Sequence, residues 1–414
     1  MDVVYERAAG MDISKTDAKV AVRVPVPGTN RFRTDVTTWD ATTNAVTRLA
    51  KMLKDSEVSV VVMEATGDYW KPFFFVLSET LNVMLVNAKQ ARNIPGRKTD
   101  VSDAKWLAEL AAHDLLRPSF VPEERLRQLR DLTRTRGNLV REQNREWSRL
   151  EKNLEDSGIK LSSVASTLKT LSCRRILEAL VAGERDPEVL ARLAHPSMEK
   201  KVPALIEALT GRFTEHHAFM VSLHLHRVDQ IEVTIQTLEA RVDKVMAPFQ
   251  VARDVLTTIP GISETVANTV IAEIGANMTQ FPSPGHLASW AGVCPGQNES
   301  AGRVKSTKTR PGDRYLKGVL GIAALSISRS KNNRLAIKYH RICSRRGKLK
   351  AVVAIEHTLI VIIWNMLTNG TAYEELGEEY YNKINPERQT NRAVRQLESL
   401  GWEVQITPAS TAAA

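Results

Sequence analysis

The chain has 414 residues, 43% of them hydrophobic and 25% charged. That is enough to bury a sizeable core in two or three domains, and it excludes the compositions of disordered or collagen-like chains. Lysine and arginine number 57 against 47 acidic residues, a net charge of +10 that favours a polyanionic partner, either nucleic acid or an anionic membrane surface. The three cysteines, Cys173, Cys294 and Cys343, are far apart and form no CxxC, which excludes a disulfide framework and a zinc ribbon and fits a reducing compartment.

The N-terminus carries charges at once and lacks the apolar core of a signal peptide. Residues 12–25 contain Lys19-Val20-Ala21-Val22-Arg23-Val24, whose period of two predicts a half-buried strand with Asp12 at its opening. A second apolar run, 58–63, ends at Glu64, and a third, 83–86, ends at Asn87. Helical patterns over 42–54 and 69–81 separate them, so strands alternate with helices as in an α/β sheet. Residues 100–113 then read as a helix, with Trp106, Leu107 and Leu110 on one face and Thr99 as N-cap.

The pattern changes near Pro122. Apolar residues recur at Leu126, Leu129, Leu132, Val140, Trp147, Leu150 and Leu154, and again at Val221, Val228, Ile231, Ile235, Leu238, Val242 and Val245. These heptad spacings predict two long helices that pair with each other or with another subunit. Short helices broken by Gly183, Pro187, Pro196 and Pro203 fill the interval. The last domain, 248–375, reads as mainly helical around a turn-rich centre from Pro282 to Gly312, and the tail, 376–414, reads as partly disordered. Its apolar stretch 351–367 is interrupted by Glu356 and His357, which leaves about ten clean residues, too few for a membrane span, and reads as a buried helix.

Four carboxylates stand out in residues 1–122. Asp12 and Glu64 lie at strand ends, and Asp100 and Asp103 lie one helical turn apart. Strand ends and an adjacent helix can converge on one point, where four carboxylates need a cation. Hard oxygen ligands select Mg²⁺ or Mn²⁺, and such a site can act on a phosphodiester. Taken singly, each is one of 47 acids, and Asp100 and Asp103 also suit a helix N-terminus.

From Arg303 to Lys350 there are 15 lysines or arginines and one acid, Asp313, a local net charge of +14. Only Tyr315 and Tyr339 are aromatic there, so phosphate binding is preferred to a membrane surface. The expected contacts are Arg303, Lys305, Lys308, Arg310, Arg314, Lys317, Arg345 and Arg346. Upstream, the turn at Ile259-Pro260-Gly261-Ile262 resembles a helix-hairpin-helix element, in which Gly261 brings backbone N–H groups to a phosphate; a plain packing corner has the same pattern. Ser300, in Glu299-Ser300-Ala301-Gly302, sits in a small-residue turn just ahead of the basic run, a candidate nucleophile with Ser306 as its competitor. No Walker A loop, GxGxxG, HExxH or GxSxG is present.

Several segments together resemble the DEDD-type insertion-sequence transposases, the group that includes Piv-like DNA invertases and bridge-RNA-guided recombinases. They are Gly10-Met11-Asp12-Ile13-Ser14-Lys15, Met63-Glu64-Ala65-Thr66-Gly67-Asp68-Tyr69-Trp70 and the run 98–108 around Asp100 and Asp103. Further along come Ile259-Pro260-Gly261-Ile262, Ala291-Gly292-Val293-Cys294-Pro295, Gly312-Asp313-Arg314-Tyr315-Leu316 and Arg345-Arg346-Gly347. The resemblance implies a RuvC-like, RNase H-fold domain over 1–122 with Asp12, Glu64, Asp100 and Asp103 as its metal-binding tetrad. It implies a helical, coiled-coil region over 123–247 and a transposase domain with a nucleophilic serine over 248–375. The family's serine turn reads Ser-Ser-Gly-Gly; here Glu299 replaces the first serine, and the segment before Gly312 is about one residue shorter.

The activity so implied is excision and insertion of a mobile element, with Mg²⁺ or Mn²⁺ as cofactor. The partners would be the double-stranded DNA of element ends and target, and a structured guide RNA. The setting would be the bacterial cytoplasm, with no membrane, at the nucleoid during action. The tetrad and the serine lie in different domains, and the heptads point to a homodimer or homotetramer. The alternatives are a RuvC-like junction endonuclease that uses metal-activated water, and a nucleic-acid-binding module with a decayed site.

Overall fold

The computed structural model describes residues 3–65, 67–87, 103–296, 298–331, 333–377, 380 and 386–407. Two compact units divide the chain, Met1–Val121 and Pro122–Ala414.

The first unit is built on a five-stranded sheet. Its strands are β1 (Ala8–Ile13), β2 (Asp17–Pro25), β3 (Phe32–Asp40), β4 (Val60–Glu64) and β5 (Val83–Val86). Their spatial order is β3-β2-β1-β4-β5, with β1–β2 and β2–β3 antiparallel and β1–β4 and β4–β5 parallel. The single strand expected over 12–25 is therefore two. Ser14 forms the turn between them: its Oγ accepts from the backbone N–H of Thr16 and Asp17 at 3.2 and 3.1 Å. Asp12 consequently closes β1 instead of opening a strand. Each face of the sheet has its own core. Met11, Ile13, Val61 and Met63 pack with helices α1 (Thr43–Asp55) and α2 (Trp70–Leu77). Ala8, Val60, Val62 and Val86 pack with α3 (Asp103–Ala112) through Leu107 and Leu110. Gly10 is where α3 rests on the sheet: a Cβ there would stand 2.2 Å from the Ala104 carbonyl oxygen and 2.4 Å from the Ala108 nitrogen.

In the second unit, α4 (Glu124–Ser157) pairs antiparallel with a long helix that returns after four short ones. The four are α5 (Leu161–Val164), α6 (Leu171–Val181), α7 (Pro187–Arg192) and α8 (Val202–Leu209), and the returning helix is α9 (Glu215–Met246). Ion pairs fix the antiparallel register: Arg136 meets Glu239, and His217 reaches Asp156 at 3.0 Å. Val221, Val228, Ile231 and Ile235 of α9 are buried along this seam. The two heptad helices thus pair with each other within one chain. The α4 stripe is also less apolar than its spacing suggests. Leu132, Val140 and Trp147 are half-buried, while Thr133 and Glu146 take fully buried places, Glu146 accepting from His224 Nδ1 at 2.9 Å.

Among the described residues, the regular structure of the remainder is helical apart from one hairpin. Helices α10 (Gln250–Thr257), α11 (Glu264–Ile274) and α12 (Pro284–Trp290) precede β6 (Asn298–Ser300) and β7 (Arg303–Ser306). Helices α13 (Arg314–Ile327), α14 (Arg334–Arg346) and α15 (Lys348–Asn369) follow, and α16 (Pro386–Ser399) lies in the tail. α15 is longer than the sequence suggested: its 22 residues and mean hydropathy of 1.7 are enough, by length and composition, to cross a membrane. Ala351, Ile355, Leu359, Ile360 and Ile363 bury one of its faces among α12, α13 and α14.

Candidate functional site

Strand pairing brings two of the four candidate acids together. Met11 is opposite Met63 in the parallel β1–β4 pair, so Asp12 and Glu64 occupy the next rung on neighbouring strands. Side chains alternate along a strand. Asp12 therefore shares the face of Ala8 and Gly10, and Glu64 that of Val60 and Val62, which is the face covered by α3. α3 runs against β1: its start lies over Gly10, and its end accepts at the Ala112 carbonyl from the N–H of Val4 and Tyr5 at 2.8 and 3.0 Å. Asp103, the first residue of α3, thus lies toward the Asp12 end of the sheet. Asp12 is exposed, and Glu64 and Asp103 are half-buried. Asp100 and Thr99 lie outside the described residues.

Carboxylate oxygens suit a hard divalent cation, and strands about 4.8 Å apart let Asp12 and Glu64 share one ion. Among the described residues no three Asp, Glu, His or Cys side chains stand together as a metal-holding group. The donor chemistry and the pairing fit such an ion; a closed ligand set is not formed by the described residues alone.

Ser300 ends β6 at an exposed hairpin tip. The turn is Ala301 at φ +51° and Gly302 at φ +73°, and Ser300 pairs with Arg303. Two successive positive-φ residues make the tight hairpin turn that asparagine and glycine favour, so Ala301 carries backbone strain. The Ser300 hydroxyl makes no hydrogen bond to a described residue, and Arg303, Lys305, Lys308 and Arg310 are exposed on the same hairpin and its continuation. Ser306 lies lower, its Oγ accepting from the Lys308 N–H at 3.1 Å.

The hairpin is rooted firmly. Gly296 N–H donates to the Lys308 carbonyl at 2.9 Å, and Pro295 bridges Thr309. Lys317 donates to the Gly292 carbonyl and to Thr309 Oγ1, both at 2.9 Å, so its ammonium holds the hairpin root together. Gly292 and Gly312 cross so closely that a Cβ on Gly312 would stand 2.3 Å from the Gly292 nitrogen. Asp313, the one acid of the basic run, caps α13 by accepting from the N–H of Tyr315 and Leu316 at 3.0 and 2.7 Å. Arg314 donates to the Tyr315 hydroxyl at 2.8 Å, and Arg345 to the Arg341 carbonyl at 3.1 Å; Arg314, Arg345 and Arg346 are otherwise exposed. Gly261 sits at φ +82°, where a Cβ would meet Ala323 O at 2.9 Å and Ile327 Cγ1 at 2.8 Å. The glycine is therefore explained by α13 packing against this corner.

Sequence reasoning missed a buried ionic cluster behind the hairpin. Glu273 is fully buried, and Arg134 grips both its carboxylate oxygens at 2.8 Å. Arg130 stands 3.0 Å from the same carboxylate, and Arg134 reaches Asp313 at 3.2 Å. More than a hundred residues separate the partners, and singly they look like surface charges. Also missed was a cleft of ≈ 760 Å³ whose lining includes Ser306, Lys308, Lys338, Lys350 and His357. Lys338 and Lys350 belong to the basic run, but nothing in the sequence turns them toward the strand that follows Ser300.

Burial holds the His357 imidazole below its ordinary value, and the Lys338 charge adds to the effect. A histidine neutral in the fold binds a proton on unfolding, so its contribution is complete above about pH 6.5 and is lost as the pH falls below that. The Tm of the wild type should therefore drop more than that of His357→Gln between about pH 7.5 and 5.5. Equal drops in a pair of melting series would contradict this placement.

Two family models match the chain. One, DEDD_Tnp_IS110, described as a transposase, matches residues 9–158, and one described as the IS116/IS110/IS902 transposase family matches 253–341. A protein of Streptomyces coelicolor (strain ATCC BAA-471 / A3(2) / M145), named as the uncharacterized 43.6 kDa protein of insertion element IS110, is 28% identical over 142 residues. That match spans 34% of this chain and 34% of the relative.

Proposed function

The chain belongs to the IS116/IS110/IS902 family of DEDD transposases, and from that membership we propose that it excises and inserts an insertion sequence by cutting and rejoining DNA. The observation that carries the proposal is the pairing of Asp12 with Glu64 on adjacent parallel strands, on the face that α3 covers and toward the end where Asp103 begins it. Three antiparallel strands followed by two parallel ones, in the order β3-β2-β1-β4-β5, support reading the first unit as RuvC-like and RNase H-like.

Asp12, Glu64, Asp100 and Asp103 would hold Mg²⁺ or Mn²⁺, which supplies charge stabilisation at the scissile phosphate when bound. Ser300 Oγ attacks phosphorus, and its proton passes by way of solvent to the leaving 3′ oxygen. A phosphoserine ester forms, the bond to the 3′ oxygen breaks, and that oxygen leaves as a 3′-hydroxyl. Attack of another 3′-hydroxyl on the ester reseals the strand and frees the serine. Arg303, which pairs with Ser300, and Lys305, both exposed on the hairpin, offset the charge that gathers on the phosphoryl oxygens, while Lys308 and Arg310 are exposed nearer its root.

The basic run supports phosphate contacts to the DNA of element ends and target and to a structured guide RNA. Where an RNA pairs with the target, the protein needs no base-reading side chain. A homodimer or homotetramer would bring two DNA ends together. The half-buried Gly261 corner, read as a helix-hairpin-helix turn, is the weakest of these nucleic-acid contacts, since the glycine already has a packing reason.

One observation favours a second reading. The Ser300 hydroxyl has no base within hydrogen-bond reach among the described residues, which suits a junction endonuclease that uses activated water. The two readings part on Ser300→Ala with element-junction DNA and Mg²⁺. Under the transposase reading, strand cleavage is lost while DNA affinity is kept. Cutting at the wild-type rate would leave the endonuclease.

A further inference from the structure

The ≈ 760 Å³ cleft at the end of β7 has a mixed lining. Its polar residues include Ser306, which ends β7, Thr307 and Lys308 just after it, and Lys338 and Lys350 from α14 and α15. Its apolar residues are Val293, Pro295, Leu349, Val353 and Ala354. No acidic side chain is among the described residues that line it. Leu349 stands at its rim, 85% exposed. Lys338 is tied to Thr358 Oγ1 at 2.7 Å, which leaves Lys308 and Lys350, both exposed, as the free cations.

A matching ligand is anionic at one end and flat and apolar at the other, with polar edges between. The volume lies within the range of small-ligand sites, about 300–1,000 Å³. A base stacked inside a duplex hides its apolar faces and cannot enter such a space. A base turned out of the stack exposes them.

We infer that the cleft holds one unstacked nucleotide of a single-stranded segment, its phosphate on Lys308 and Lys350 and its base against Leu349 and Val353. The inference rests on the nucleic-acid reading above and adds to it a place where the strand leaves the helix. The cleft lies on the strand that continues from the Ser300 hairpin, so an extruded nucleotide would hold the chain in register near that serine.

Photocrosslinking tests it. The full-length protein is irradiated with DNA or RNA oligonucleotides carrying 4-thiopyrimidines, offered single-stranded and as duplex, and the crosslinked peptides are mapped by mass spectrometry. The expected result is crosslinks concentrated on Val293, Pro295 and residues 306–309 and 349–357 with single strands, and absent from these residues with duplex. The better of the DNA and RNA arms identifies the occupant. Val353→Phe, which fills the cleft, should lose those crosslinks while the protein still binds. Lys350→Ala should reduce the slope of log affinity against log salt by about 0.7, the value for one phosphate contact of a single strand. Crosslinks confined to other segments, or unchanged in Val353→Phe, would overturn the cleft. A failure to bind any nucleic acid would overturn the transposase reading along with it.

Discussion

Asp12→Asn is expected to lower DNA strand cleavage by about three orders of magnitude while leaving DNA affinity within about twofold, since losing several kcal/mol of charge stabilisation costs tenfold per 1.36 kcal/mol. The substitution keeps the shape of the side chain and removes its charge. Asp12 is exposed at the end of β1, so the core beneath it is untouched. Glu64→Gln, one rung across on β4, should behave alike. Asp68→Asn is the control: this carboxylate pairs with Lys71 at 2.8 Å on the surface and should change little. Mn²⁺ binding followed by electron paramagnetic resonance gives a readout apart from activity. It should weaken in Asp12→Asn and Glu64→Gln and hold in Asp68→Asn. Cleavage that survives Asp12→Asn would remove the acid site from the reaction.

Glu273→Leu should destabilise the second unit by about 3–5 kcal/mol, because it leaves the buried ends of Arg130 and Arg134 without their carboxylate. At roughly 2–4 °C per kcal/mol, the melting temperature falls by about 10 °C. Arg134→Met should cost less, since Arg130 still stands 3.0 Å from the Glu273 carboxylate. The double variant should recover part of the loss, since charge and partner leave together. Calorimetry on the four proteins closes the cycle. Additive losses would mean that the contact seen between Arg134 and Glu273 does not couple them. The cluster also reaches Asp313, which caps the helix after the serine hairpin, so its loss should loosen the segment that carries Ser300.

The elements that were legible are those whose burial leaves a simple period. Val60–Met63 and Val83–Val86 are apolar runs, and they are β4 and β5. The leucines and valines of α4 and α9 repeat by threes and fours, and they line the seam between those helices. β3 was missed because almost all of Phe32–Asp40 faces water, and its sequence carries no alternation of apolar residues. β1 does not stand apart from β2 in the sequence because it begins with small residues, Ala8 and Gly10 under α3 and Ala9 on the other face, and not with a run of valines. The β6–β7 hairpin was invisible because its turn puts an alanine at φ +51°, a position that the residue type argues against. For the site, Asp12 and Glu64 were marked by the apolar strands they end, and pairing sets them side by side. The Glu273 cluster and the lysine cleft join residues from distant helices, and no local period reports such meetings.

A covalent link between Ser300 and DNA, made with help from the acids of the first unit, can be isolated. The protein, with its native flanking DNA transcribed alongside, is incubated with labelled element-junction DNA and Mg²⁺. The denatured product is then digested, and the DNA-linked peptide is sequenced by mass spectrometry. The expected product is a phosphodiester on the peptide containing Ser300, absent in Ser300→Ala and in Asp12→Asn. Cleaved DNA with no attached peptide, or an adduct on Ser306 instead, would contradict it.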